Sequence, residues 1–260
     1  MHPSVRTQCR DGVFEIVLDR PKANAIDADT SRQLGDAFAY FRDTTSLRVA
    51  IVTGAGDRFF CAGWDLVAAA NGEPEDADYG VGGFGGLQEL PGLNKPVIAA
   101  VNGMAVGGGF ELALSADLIV AAEHARFALP EIKAGTLAES ATLRLTKRIP
   151  YHLAMELLLL GRWMEAREAQ LRGLVGWVCP AKQLMPQART LARTLADGPP
   201  LVLAAIKEVV RESETLSFRE GMAGIHARRF PTVAKLYASA DQSEGACAFR
   251  DKRVPRWRGR

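Results

Sequence analysis

Residues 13–19, VFEIVLD, alternate apolar and polar side chains of β-favouring type and predict a half-buried strand. From Ala28 to Phe41 the period lengthens, and Leu34, Phe38 and Phe41 fall on one helical face. Arg48 to Thr53 predicts a second strand, stopped by the turn GAGD. FFCAGWDL follows, with Asp65 suited to cap a short helix through Ala70. Residues 71–86, NGEPEDADYGVGGFGG, are acidic and glycine-rich, carry no apolar period, and predict a mobile surface loop. Val97–Val101 is continuously apolar, as in a parallel strand covered on both faces. A run of glycines at 107–109, a helix over 110–115 and an apolar strand over Leu118–Ala121 come next. That order reads as a βαβ unit with its turn at the carboxyl end of the first strand, where α/β sheets usually bind ligands. After Glu131 the pattern is helical, near 139–148, 150–160, 165–172, 186–197, 200–213, 217–238 and 241–250. No internal repeat or low-complexity linker is visible. The expected class is α/β, with a helical back half.

The chemistry concentrates in 96–131. Glycine permits positive φ and close approach of a ligand to the backbone, so Gly107, Gly108 and Gly109 can present free N–H groups to an anionic oxygen. They fit equally a tight turn that merely requires glycine. The spacing is not G-x-G-x-x-G, and no Lys-Ser/Thr follows, so neither a dinucleotide site nor a P-loop is supported. Glu111 stands among apolar residues and glycine in GFELAL, and Glu131 follows a proline in ALPEIK. Burial raises a carboxyl pKa towards neutrality, which suits proton transfer. Read singly, each acid also fits a cap, an ion pair or a solvated face.

Composition narrows the classes. A chain of 260 residues with 48% apolar and 24% charged residues can bury a large core without disulfides or metals. A net charge of +2 argues against bulk binding to nucleic acid or membrane, although the tail from Arg250 to Arg260 is locally basic. Cys9, Cys61, Cys179 and Cys247 are scattered, and His2, His124, His152 and His226 form no H-E-x-x-H, so no metal site is expected. No signal peptide and no apolar run of membrane length are visible, and free thiols fit the cytoplasm.

Together, LDRPKANAI, GAGDRFFCAGWDL, KPVIAAVNG, GGGFELAL, FALPE and AFRDKR resemble the enoyl-CoA hydratase/isomerase (crotonase) superfamily along nearly the whole chain. Within it, CAGWDL, GGFGGL and GGGFELALSAD followed by FALPE look most like the branch acting on carnitine-derived acyl groups. The resemblance implies a crotonase-type β-β-α superhelix over 1–199 and a helical C-terminal trimerisation region over 200–260, in a homotrimer or dimer of trimers. It implies an acyl-CoA substrate and no cofactor beyond the coenzyme A it carries. By motif position, the backbone N–H groups of Trp64 and Gly108 would hold the thioester oxygen, and Glu111 and Glu131 would be the acid/base pair. Lys22, Ala23, Ala25 and Ile26, with Ala62, Gly63, Asp65 and Leu66, fall where the family binds coenzyme A. Phe249 and Lys252 fall where its C-terminal helix approaches the coenzyme A of a neighbour.

One loop departs from the hydratase pattern: GTLAESATLRL has Ala138 at the usual proline, lacks the glycine pair and is one residue short. Glu139 adds a third acid there, leaving room for isomerase chemistry or a changed substrate. A trimethylammonium group favours aromatic faces and negative charge. Glu139 and an aromatic among Trp64, Tyr79 and Phe84 are therefore the expected acceptors of a cationic acyl end. The expected reaction is addition or removal of water at the α,β double bond of a short-chain enoyl-CoA. The alternatives are an isomerase, a generic hydratase, or a catalytically silent CoA-binding protein.

Overall fold

The computed structural model describes residues 4–260; Met1, His2 and Pro3 lie outside the described residues. β1 (Val5–Arg10) and β2 (Val13–Leu18) form an antiparallel pair. α1 (Ala28–Asp43) begins at Asp27, whose carboxylate accepts the Thr30 N–H, and its Leu34, Phe38 and Phe41 are fully buried.

Three times in succession the chain then lays one strand in each of two sheets and turns into a helix. The first unit is β3 (Val49–Gly54), β4 (Phe59–Cys61) and α2 (Leu66–Ala70). The second is β5 (Val97–Val101), β6 (Met104–Val106) and α3 (Gly108–Leu114). The third is β7 (Leu118–Ala122), β8 (Arg126–Ala128) and α4 (Glu131–Ala134). Helices α5 (Glu139–Leu145), α6 (Tyr151–Leu160), α7 (Ala166–Leu171) and α8 (Leu184–Ala196) follow, with β9 (Met164–Glu165) and β10 (Trp177–Cys179) between them. The larger sheet runs β1-β2-β3-β5-β7-β10, parallel from β2 onward, and the smaller runs β4-β6-β8-β9.

This is the β-β-α superhelix that the motifs imply, and it corrects two expectations. A repeat does exist, but β4, β6 and β8 have three residues each, too short to show an alternation. The glycine turn therefore follows β6 of the smaller sheet, not β5 of the larger one. The crossing between sheets is tight. A Cβ on Gly54 would strike the carbonyl oxygens of Phe59 and Phe60, and one on Gly103 would strike that of Arg58. Asn102 pins the crossing by accepting the Gly54 N–H at 3.0 Å and donating to the Gly56 carbonyl at 2.8 Å.

The C-terminal helices are α9 (Pro200–Glu212), α10 (Phe218–His226), α11 (Pro231–Tyr237) and α12 (Asp241–Arg250). The expected single helix over 217–238 is thus two. Arg228 turns left-handed at φ 55°, and Pro231 can only start a helix afresh. Ala205, Phe230 and Val233 form a small apolar cluster separate from the main core. Lys207 ties α9 back to that core, donating to Asp117 at 2.7 Å and to the Lys95 carbonyl at 2.8 Å. Among the described residues, no helix is long and apolar enough to cross a membrane.

Candidate active site

Each ββα unit delivers one part of the site from the loop or helix after its smaller-sheet strand. Trp64 follows β4, Gly108 and Glu111 lie on α3 after β6, and Glu131 opens α4 after β8. Ile26 pairs with Trp64 in a parallel bridge, in which the Ile26 N–H donates to the Gly63 carbonyl and the Asp65 N–H to the Ile26 carbonyl. That alternation points the Trp64 N–H away from Ile26. Neither it nor the Gly108 N–H, at the first turn of α3, finds an acceptor among the described residues. The two strands of backbone are adjacent, since a Cβ on Gly63 would lie 3.0 Å from the Gly108 nitrogen.

The three glycines are required for three different reasons. Gly107 adopts φ 54°, and a Cβ on it would lie 2.5 Å from Glu131 Oε1, so its missing side chain is the seat of that carboxylate. A Cβ on Gly108 would meet the Phe84 ring, and one on Gly109 the Cys61 carbonyl. A ring can shift, whereas a strand carbonyl cannot. Gly109→Ala is therefore expected to cost roughly 3 kcal/mol in a thermal melt, and Gly108→Ala clearly less. Equal losses would show that the two obstacles yield alike.

Glu111 is buried, 7% exposed, and its Oε1 accepts the Ala141 N–H from the first turn of α5 at 2.9 Å. Burial raises its pKa, and the Ala141 N–H opposes the rise by holding the charged form. Glu131 is pushed up to about 7, chiefly by burial and further by the nearby Glu111 charge. Its Oε2 is buried without a hydrogen-bond partner among the described residues. One acid thus accepts an N–H that favours its charged form against the effect of burial, while the other stays half-protonated at neutral pH. This asymmetry provides a base and an acid in one place.

Both acids, Trp64 and Gly108 line a single cavity of about 860 Å³. The other charged side chains on its wall are Glu75, Asp76, Asp78, Glu89 and Glu139, against the one cation Lys133. Tyr79 and Phe84 stack edge to face on this wall with ring centroids 5.3 Å apart. Burial pushes the Tyr79 hydroxyl up to about 12, helped by Glu73, Asp76, Glu139 and Glu75. Tyr79 and Glu139 therefore face the same space. The expectation of a mobile loop over 71–86 is corrected in its second half. Gly82, Gly85 and Gly86 are buried, and Gly86 packs directly on the α1 backbone at Gly35.

The two segments expected to meet coenzyme A come together. The Ala62 N–H donates to the Ala23 carbonyl at 3.1 Å, and Arg20 bridges Asp27 and Asp65. Ala62 and Leu66 line the cavity, whereas Lys22, Ala23, Ala25, Ile26 and Gly63 do not. The Asp65 carboxylate is occupied by Arg20 and by the Val67 and Ala68 N–H groups, its N–H by the Ile26 carbonyl and its carbonyl by the Ala69 N–H, so Asp65 shapes this segment and has no group left over for a ligand. Phe249 and Lys252 are exposed and do not line the cavity of their own chain. Sequence reasoning passed over Ala141, whose contribution is a backbone N–H and leaves no side-chain signal. It also passed over Asp76 and Asp78 individually, although the acidity of their segment was visible.

The sequence pattern of the enoyl-CoA hydratase/isomerase family matches residues 8–260. The chain belongs to this family. It is 52% identical over 261 residues to carnitinyl-CoA dehydratase of Proteus mirabilis, covering 100% of both chains. Carnitinyl-CoA dehydratase of Salmonella typhi is 52% identical over 249 residues, covering 95% of each. Among solved structures, enoyl-CoA hydratase from Mycobacterium tuberculosis H37Rv superposes with a TM-score of 0.90 at 41% identity over 100% of both chains. This enoyl-CoA hydratase/isomerase family member thus has the crotonase fold that its motifs implied, with the two acids on the second and third ββα units.

Proposed function

We propose that this protein adds water reversibly across the α,β double bond of crotonobetainyl-CoA to give carnitinyl-CoA. The observation that carries the reading is one cavity holding two buried acids, one bonded to an N–H and one with an unpartnered oxygen, beside two free N–H groups, on a wall dominated by carboxylates. The thioester oxygen accepts from Trp64 and Gly108, which stabilise the enolate charge as it develops. Ionised Glu111 takes a proton from the water that attacks the β-carbon. Protonated Glu131 delivers a proton to the α-carbon. Dehydration runs the same steps backwards, with each acid in the opposite role. No step calls for a metal or a cofactor other than the coenzyme A of the substrate.

The altered loop supports this assignment in its own way. Within GTLAESATLRL, which lacks a glycine pair, α5 begins at Glu139 and its Ala141 N–H orients the base. Coenzyme A is placed along the joined 22–26 and 62–66 segments, with Phe249 and Lys252 reaching it from a neighbouring subunit. This reading includes residues 200–260 as a trimerisation region, a homotrimer or dimer of trimers, and a cytoplasmic location.

The trimethylammonium end is assigned to Glu139 and the Tyr79 face. Glu139→Gln is expected to lower kcat/KM for crotonobetainyl-CoA roughly tenfold and to leave crotonyl-CoA almost unchanged. An equal effect on both substrates would remove the cation from the account.

A further inference from the structure

Arg144 lies on α5, one turn beyond Ala141, and takes no part in the chemistry above. Its guanidinium donates to the Ser115 hydroxyl at the end of α3 and, at 2.6 Å, to the carbonyl of the cavity residue Gln88. Ser115 Oγ donates in turn to the Glu111 carbonyl at 2.8 Å. A hydrogen-bonded path therefore runs from Arg144 to the main chain of Glu111, while the Ala141 N–H on the same helix holds the Glu111 carboxylate. Among the described residues no carboxylate forms a salt bridge with Arg144. The charges that act on it are Arg148, which opposes its own, and Glu111, Glu214 and Glu89, which favour it. Glu139 from α5 and Glu131 from α4 set like charge around Glu111, and the Glu111 charge is felt by Arg144. Arg144 is the positive charge in that set.

We propose that Arg144 is a positioning residue for Glu111: it docks α5 on α3 and Gln88, and sets a fixed positive charge towards the base. The inference rests on Glu111 acting as the ionised partner. A guanidinium keeps its charge throughout the working pH range, so it biases Glu111 without titrating itself. Its fork also spans two acceptors on different segments, which an ammonium cannot reproduce with the same geometry.

The test is the titration of the Glu111 carboxyl in ligand-free protein, followed by carbon NMR on labelled glutamate and assigned with Glu111→Gln. The pH profile of kcat/KM for crotonobetainyl-CoA is the second readout. Arg144→Gln retains donors but no charge, and is expected to move the Glu111 titration and the acidic limb upward by about half a pH unit or more. Arg144→Met should move them in the same direction. Arg144→Lys keeps the charge and should leave the titration close to wild type while lowering kcat. An unchanged Glu111 titration in Arg144→Gln, with only a lowered melting temperature or kcat, would reduce Arg144 to a structural brace and overturn the proposal. A wild type that turned over no acyl-CoA would defeat the proposed reaction, but the NMR titration would still decide the role of Arg144.

Discussion

Glu111→Gln and Glu131→Gln are each expected to lower kcat for hydration of crotonobetainyl-CoA by about 10²–10⁴-fold, with much smaller changes in KM. The expectation follows from how differently the two carboxyls are held. Glu111 is fixed by the Ala141 N–H and is the group kept ready to accept a proton. Glu131 rests against Gly107 with one oxygen free and a pKa near neutrality, so it has a proton to give. Glutamine preserves the shape at either site but cannot accept the proton from water or supply one to the α-carbon. The N–H groups of Trp64 and Gly108 survive in both variants, so substrate binding and part of the rate enhancement persist. Because the acids act as a unit, the double variant should lose scarcely more than the worse single one. Near-wild-type turnover by either single variant would show that one acid suffices, as in migration of a double bond.

The same substitutions are expected to stabilise the protein at alkaline pH. Burial raises the Glu131 pKa from 4.5 to about 7 in the folded chain. The folded state therefore binds more protons than the unfolded state between those values, and stability falls as pH rises through that window. Above the folded pKa the protein carries a buried carboxylate beside the Glu111 charge. Glu131→Gln removes that charge and should raise unfolding free energy at pH 8.5 by roughly 1–3 kcal/mol relative to wild type, with the difference fading below about pH 4.5. Denaturant melts at the two pH values measure it. No difference at pH 8.5 would mean that water reaches the Glu131 carboxyl freely. A gain in stability together with a loss of turnover is the pattern expected where the fold tolerates strain for chemistry.

The elements legible in the sequence are those long enough to show a period. α1 announces itself through Leu34, Phe38 and Phe41, and β5 through five consecutive apolar residues. The short strands of the smaller sheet were not legible, because three residues cannot establish an alternation and their order depends on crossings at Gly54 and Gly103. The acids were visible, but only the family motifs paired them, since Glu111 and Glu131 are brought together by packing of successive ββα units rather than by spacing. The glycine run was ambiguous for the same reason. Only the folded chain shows that Gly107 seats a carboxylate, Gly108 faces an aromatic ring and Gly109 lies on a strand carbonyl. Backbone contributions, such as the Ala141 N–H, leave no trace in residue identity at all.

The central claim is that water is added by two acids working on opposite ends of one double bond. Turnover of crotonobetainyl-CoA in D₂¹⁸O, read by mass spectrometry and NMR, tests it most directly. The account predicts one ¹⁸O at the β-carbon and one deuteron at the α-carbon of the carnitinyl product, with both labels entering about 10²–10⁴-fold more slowly in Glu111→Gln and Glu131→Gln. Turnover that leaves the β-carbon without ¹⁸O, or that only shifts the double bond, would contradict it.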